Sequence, residues 1–185
     1  LTLSTPGGGA SLGSQSTATL TIQDDDPGEN GYASQSDFDS AGNESMAFFD
    51  AGTNSLKFAS RMAGGTWSGL QTIDAGSVYL SLALDSAGRP GIAYYDPNNA
   101  VLTYAHFDGT SWDVGIVDST FTTGYYPSLQ FAANDKPVIS YYSKTGGNLR
   151  IAMAGATGWT CTTIDSTGDV GRYSDLALNP LTGRW

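Results

Sequence analysis

Tyr79-Leu-Ser-Leu-Ala-Leu-Asp85, Pro90-Gly-Ile-Ala-Tyr-Tyr-Asp96, Leu102-Thr-Tyr-Ala-His-Phe107 and Trp112-Asp-Val-Gly-Ile-Val-Asp118 are four short apolar runs in succession. Each is rich in Tyr, Phe, Leu, Ile or Val, the side chains that fit a pleated surface. The breaks fall at Ser86–Arg89, Pro97–Asn99 and Asp108–Thr110, where Gly, Pro, Asn and Asp supply turn geometries. Side chains alternate across a strand, so Ile92 and Tyr94 face one way while Ala93 and Tyr95 face the other. Both sets are largely apolar, as a sheet covered on both faces requires. No window carries a sustained helical period.

The pattern recurs on both sides. Phe48, Tyr94 and Tyr141 stand 46 and 47 residues apart, and Leu56, Leu102 and Leu149 repeat that spacing. Trp67, Trp112 and Trp159 are 45 and 47 apart. Ile73, Val117 and Ile164, each followed by an aspartate (Asp74, Asp118, Asp165), are 44 and 47 apart. Tyr79, Tyr126 and Tyr173 mark first strands at intervals of 47. A four-stranded unit recurring at this spacing is the mark of a β-propeller blade.

Composition bounds the partners. The chain has 185 residues with 18 acidic and 8 basic side chains, a net charge of −10. That balance repels phosphate backbones, so nucleic acid is excluded as an expected partner. Cys161 is the sole cysteine, so no internal disulfide forms. No apolar run is long enough for a membrane-spanning helix. The sequence carries no initiator Met or signal peptide, opens inside a strand and stops inside a repeat, and reads as a piece of a larger polypeptide.

From the start, Leu1–Ser4 and Thr17–Gln23 read as strands, the second ending in Asp24-Asp25-Asp26. Leu-Thr-Leu-Ser-x-Pro-x-Gly-Gly-Ala followed by Thr-Ala-Thr-Leu-Thr-Ile-x-Asp-Asp-Asp resembles the C-terminal end of a Calx-β domain. The resemblance covers residues 1–26 and implies the closing strands of a β-sandwich. It further implies that Asp24, Asp25 and Asp26 contribute to a calcium site completed by acidic residues from earlier loops. Calcium takes six to eight oxygens, and three adjacent carboxylates on an extended chain alternate in direction and cannot wrap one ion unaided. Residues 27–30 are a linker. Blade repeats follow at 31–75, 76–122 and 123–168, and 169–185 supplies the first strand of a fourth, Tyr173–Asn179. In the first repeat, Ser36 and Asp37 stand where Leu82 and Ala83 do, the drift expected of a terminal unit. Residues 31–185 resemble the propeller-like repeats of large bacterial extracellular proteins, with Tyr-Tyr-Asp in strand two and Gly-x-x-Trp entering strand four.

Catalytic constellations are hard to assemble. A carboxylate pair for hydrolysis needs one raised and one ordinary pKa. Asp50 and Asp96 recur after the aromatic pair, which points to turns where Asp accepts backbone N–H bonds, and Ser143 replaces them in the third repeat. Glu29 and Glu44 are the only glutamates, and His106 is the only histidine, placed in a third strand. One His and one Cys cannot build a zinc site. The sialidase-type Asp box, Ser-x-Asp-x-Gly-x-Thr-Trp, survives only as degenerate turns, with Met62, Phe107 and Ala154 at its aspartate position. The Trp slot repeats in every unit, which favours packing between blades over ligand contact. Non-repeating loops, Pro97–Asn99, Thr120–Thr123 and Lys144–Asn148, are the better places to seek a ligand.

The expectation is therefore an all-β chain. It holds an incomplete β-propeller of about three four-stranded blades plus one strand, preceded by terminal strands of a β-sandwich. Propellers typically have four to eight blades, so three leave an open face and edges that invite self-association. The leading functional expectation is a non-catalytic binding or adhesion module, not an enzyme, of a secreted or cell-surface protein. It would take a protein or carbohydrate ligand, with calcium at the sandwich end. The alternative is part of a glycan-processing, sialidase-like propeller enzyme whose catalytic residues lie outside this stretch.

Overall fold

The computed structural model describes residues 34–120, 122–177 and 179. Residues 1–26, with Asp24, Asp25, Asp26 and the Calx-β resemblance, lie outside the described residues.

The chain is all-β. Three antiparallel sheets of four strands follow one another, each built from consecutive strands. The first holds β1 (Ser34–Phe38), β2 (Glu44–Asp50), β3 (Ser55–Arg61) and β4 (Ser68–Ala75). The second holds β5 (Val78–Leu84), β6 (Pro90–Asp96), β7 (Val101–Phe107) and β8 (Trp112–Asp118). The third holds β9 (Thr123–Phe131), β10 (Pro137–Ser143), β11 (Asn148–Ala154) and β12 (Trp159–Asp165). The first strand of the second sheet, β5, touches the first strands of both others, β1 and β9. First strands thus lie near a common axis and fourth strands lie outside, the arrangement of an incomplete propeller.

Burial follows that layout. Every residue of β6 is buried, whereas β4, β8 and β12 are mostly exposed. Two seams of apolar side chains join the sheets. Between the first and second lie Ala47, Leu56 and Phe58 against Leu80, Leu82, Ile92, Tyr94 and Ala105. Between the second and third lie Ala83, Ala93 and Leu102 against Leu129, Phe131, Ile139, Tyr141 and Ala152. The repeating tryptophans sit in these seams. Trp112 packs edge-on to Phe58 at 5.1 Å, and Trp159 packs edge-on to Tyr104 at 5.4 Å. Trp67 has no preceding sheet among the described residues; it is 40% exposed, beneath the Arg61 guanidinium at 4.7 Å.

Polar bonds at repeating positions lock the seams in register. Leu82 N donates to Gln35 Oε1 and Leu129 N to Ser81 Oγ, each at 3.0 Å. The aspartates that close β4 and β8 accept from the next sheet: Tyr94 OH donates to Asp74 Oδ2 at 2.5 Å and Tyr141 OH to Asp118 Oδ2 at 2.6 Å. The hairpin aspartates act as turn acceptors. Asp50 Oδ1 takes the Gly52 N–H and Asp96 Oδ1 the Asn98 N–H, at 2.9 and 2.8 Å.

The chain crosses between sheets in very little space. Gly124, at φ +103°, is so close to the second sheet that a Cβ would lie 2.7 Å from Leu102 Cα. Gly171, at φ +98°, would place a Cβ 2.6 Å from Leu149 Cα. Both the left-handed backbone and the contact require glycine.

Past β12 the sequence expects a first strand at Tyr173–Asn179. Over residues 173–177 and 179 the chain does not pair as a strand. It follows the path such a strand would take, with Leu176 buried against Val138 and Ile151 and its N–H donating to Ser128 Oγ at 3.0 Å. Ser128 here repeats the part of Gln35 and Ser81. Strand pairing needs a neighbouring strand, and none is present there among the described residues.

Candidate functional site

One end of the sheets gathers tyrosines. At the starts of β5 and β9 the pairing slips. Val78 pairs with Tyr95 and Leu80 with Tyr94, so Tyr79 is an extra, bulged residue. The register between β9 and β10 slips likewise between Ser140 and Tyr142, across from Tyr126. Tyr79, Tyr126 and Tyr173 have φ of +52°, +49° and +55°. A left-handed backbone costs an L-residue roughly 1–2 kcal/mol, and a bulky side chain is a rare occupant. Bulges beside functional sites re-aim side chains. Here they bring rings from successive repeats together: Tyr79 lies 4.6 Å from Tyr126, and Tyr126 lies 4.2 Å from Tyr173. Tyr125 links this row to the second sheet, 5.2 Å from Tyr79 and 4.1 Å from Tyr95.

The three non-repeating loops border the same end. Lys144 stands 5.5 Å over the Tyr125 ring, and its N–H donates to Thr122 O. Asn98 donates to Ala75 O at 3.2 Å. Beyond them Arg172 covers Tyr142 at 5.3 Å and bonds Asp169 Oδ2 at 2.7 Å, while Tyr142 OH donates to Asp169 Oδ1 at 2.7 Å.

Three of these phenols are raised above the ordinary range. Burial, then the Tyr95 hydroxyl, pushes Tyr125 up to about 12. Burial raises Tyr126, and the Asp169 carboxylate raises Tyr142. Near neutral pH this end offers ring faces and uncharged hydroxyls, with Tyr173 61% exposed. Such a surface stacks on the C–H face of a sugar and bonds its hydroxyls. Its carboxylates are already acceptors for protein donors. Asp74 and Asp118 hold the seam tyrosines, Asp96 holds Asn98 and Asn99, and Asp169 holds Tyr142 and Arg172.

The sequence marks Tyr79, Tyr126 and Tyr173 as a strand signal but gives no sign of their left-handed backbone. His106 is half-buried beside Tyr104 and Phe131, its Nε2 3.3 Å from Asp85 Oδ2. Among the described residues, no cluster of three or more His, Cys, Asp or Glu side chains is placed to hold a metal ion. No described helix is long and apolar enough to cross a membrane.

No family model matches the chain, and no curated protein does. Solved structures do. The chain is similar to an exo-β-1,3-galactanase from Phanerochaete chrysosporium, crystallised with β-1,3-galactotriose, at 16% identity and a TM-score of 0.50. The match covers 73% of this chain and 36% of that one. An exo-β-1,3-galactanase from Clostridium thermocellum matches at 12% identity and a TM-score of 0.47, over 76% of this chain and 37% of that one. A bifunctional GH43-CE protein from Bacteroides eggerthii matches at 14% identity and 0.49, over 77% and 21%. The chain thus spans well under half the length of each. The first likeness supports the propeller fold.

These findings correct three expectations. The propeller fold is shared with a protein named as an exo-β-1,3-galactanase, so the non-catalytic binding or adhesion module gives way. The statement that the protein is not an enzyme goes with it. The framing of the whole as a calcium-binding, Calx-β adhesion module goes too: what matches is the propeller, while Asp24, Asp25 and Asp26 lie outside the described residues.

Proposed function

We propose that this chain is part of a glycan-processing propeller enzyme and that its tyrosine-lined end takes the substrate. The observation that carries the reading is the convergence of the left-handed Tyr79, Tyr126 and Tyr173 at one end, rings 4.6 and 4.2 Å apart and Tyr173 open to solvent. Retaining a strained backbone to converge three rings is the kind of cost found at ligand sites. Glycoside cleavage ordinarily uses two carboxyl groups flanking the scissile bond. The described carboxylates at this end are committed to turns and seams, so the tyrosines bind and orient while the acid and base come from residues outside the described stretch. A saccharide substrate accords with an extracellular or cell-surface setting. The net charge of −10 favours a neutral chain over a polyanionic one.

The test is a titration with β-1,3-galacto-oligosaccharide, with release of galactose followed on the same samples. Tyr126→Ala is expected to weaken binding about tenfold, whereas Tyr126→Phe, which keeps the ring, changes it less than about threefold. Equal binding by both variants and the parent would remove the tyrosine platform. Release of galactose would place the acid and base within this chain, and binding without release is what the reading expects when they are not.

A further inference from the structure

The seam between the first and second sheets holds a cleft at the end opposite the tyrosines, with a volume of about 330 Å³. The matching place in the second seam is filled. There Tyr104, His106 and Phe131 crowd together, and a Cβ on Gly91 would meet the Tyr104 hydroxyl at 2.7 Å and Phe131 at 2.8 Å. Strand register gives the counterparts in the first seam. Ala47–Phe58 matches Ala93–Tyr104, Ser45–Ser60 matches Gly91–His106, and Phe131–Pro137 matches Leu84–Pro90. Three smaller side chains, Phe58, Ser60 and Leu84, thus stand where the second seam has larger ones, and the missing volume opens the cleft.

What lines it is equally particular to this seam. Glu44 and Arg61 pair across β2 and β3, where the second sheet has Pro90 and Phe107 and the third has Pro137 and Ala154. Glu44 is only 7% exposed, and its Oε2 accepts from Arg61 Nε at 2.7 Å and lies 2.5 Å from Arg61 Nη2. Arg89 forms part of the facing wall, fixed through Nε to Asp85 Oδ2 at 2.7 Å. Phe58 and Phe107 supply apolar surface between these charges. An ordinary structural seam would bury packed apolar groups here. Instead the repeat is broken by a buried carboxylate, two anchored guanidiniums and a void of ligand size.

We propose that this cleft is a second binding site, separate from the tyrosine end, for a neutral, hydroxyl-rich ligand of monosaccharide size. Carboxylate acceptors and guanidinium donors side by side match vicinal hydroxyls, and the phenylalanine surface matches the C–H face of a pyranose. Each guanidinium already faces an acid, so an anionic ligand gains little there.

The experiment titrates the full chain with methyl β-D-galactopyranoside and methyl β-D-glucopyranoside. Amide and arginine Nε shifts are followed by NMR, with sodium acetate as an anion control. Saturable shifts at Ser60, Arg61 and Arg89 are expected, with Kd on the order of 1 mM. Ser60→His, which restores the filling residue of the second seam, weakens the binding about tenfold or more. Glu44→Gln, nearly isosteric, does the same and guards against a folding defect in the first variant. Tyr126→Ala, which disables the platform at the other end, leaves this titration as in the parent. That separates failure here from failure of the proposed function. Shifts confined to the tyrosine end, equal affinity in Ser60→His and Glu44→Gln, or tighter binding of acetate would each overturn the proposal.

Discussion

The two seams are built on one plan and finished differently. Both cross a tyrosine hydroxyl onto the aspartate of the preceding sheet, and both lay a tryptophan edge-on to an aromatic ring. In the second seam the Tyr141–Asp118 pair is sealed. Asp118 is 4% exposed, and Arg150 approaches its carboxylate at 3.4 Å. In the first seam Asp74 is half-buried, and Thr103 occupies the position that Arg150 takes in the next repeat. The second seam is packed to its far end by Phe131, whereas the first opens into the cleft. Periodicity specifies that the sheets associate. The departures from it decide which association is purely structural and which leaves room for chemistry.

The largest expected effect comes from emptying the sealed seam. Phe131→Ala should destabilise the chain by about 3 kcal/mol, since it removes a buried ring and leaves a void. Chemical unfolding measures it, and a loss near that of an exposed substitution would show that the second seam is not close-packed. Next is the pair of hydroxyl deletions. Tyr141→Phe removes one donor from a buried carboxylate that water cannot reach and should cost about 2 kcal/mol, against about 1 kcal/mol for Tyr94→Phe, whose Asp74 water can reach. Equal costs would erase the distinction between sealed and open seams.

The smallest effect is in the pH dependence. Tyr94 and Tyr141 are raised far above the usual phenol range, first by burial and then by their aspartates. Their folded pKa exceeds the unfolded value of about 10, so above that pH the unfolded chain binds fewer protons than the folded one. The stability these two tyrosines contribute should be flat below about pH 10 and fall above it. Phenolate absorbance from these two should appear with unfolding rather than as a gradual titration. A smooth titration with the fold intact would mean that the seams admit water.

Much of the fold was legible because packing between equivalent sheets forces equivalent side chains. Phe48, Tyr94 and Tyr141 recur for that reason, as do the tryptophans. The cross-seam bonds had a readable trace, since each Asp after Ile73 and Val117 precedes a slot tyrosine by 20 or 23 residues. The candidate site was harder. A left-handed φ at Tyr79 leaves no mark in composition, and tyrosine is a poor signal for a position where glycine is the ordinary choice. The cleft depends on what is absent, a His at Ser60 and a Phe at Leu84, and becomes visible only when strand register aligns the repeats. Tyr173–Asn179 looked like a strand because its side chains match those of earlier first strands, but pairing depends on a neighbour that side chains alone do not provide.

Gly124 and Gly171 act as spacers of minimum thickness. Two residues before Tyr126 and Tyr173, each lets the backbone lie against a leucine of the sheet before it. The corresponding residue before Tyr79 is Ser77, fully buried, with its hydroxyl unpartnered. The first crossing therefore holds a side chain where the later ones hold none. One hydroxymethyl group marks the joint that departs from the rest.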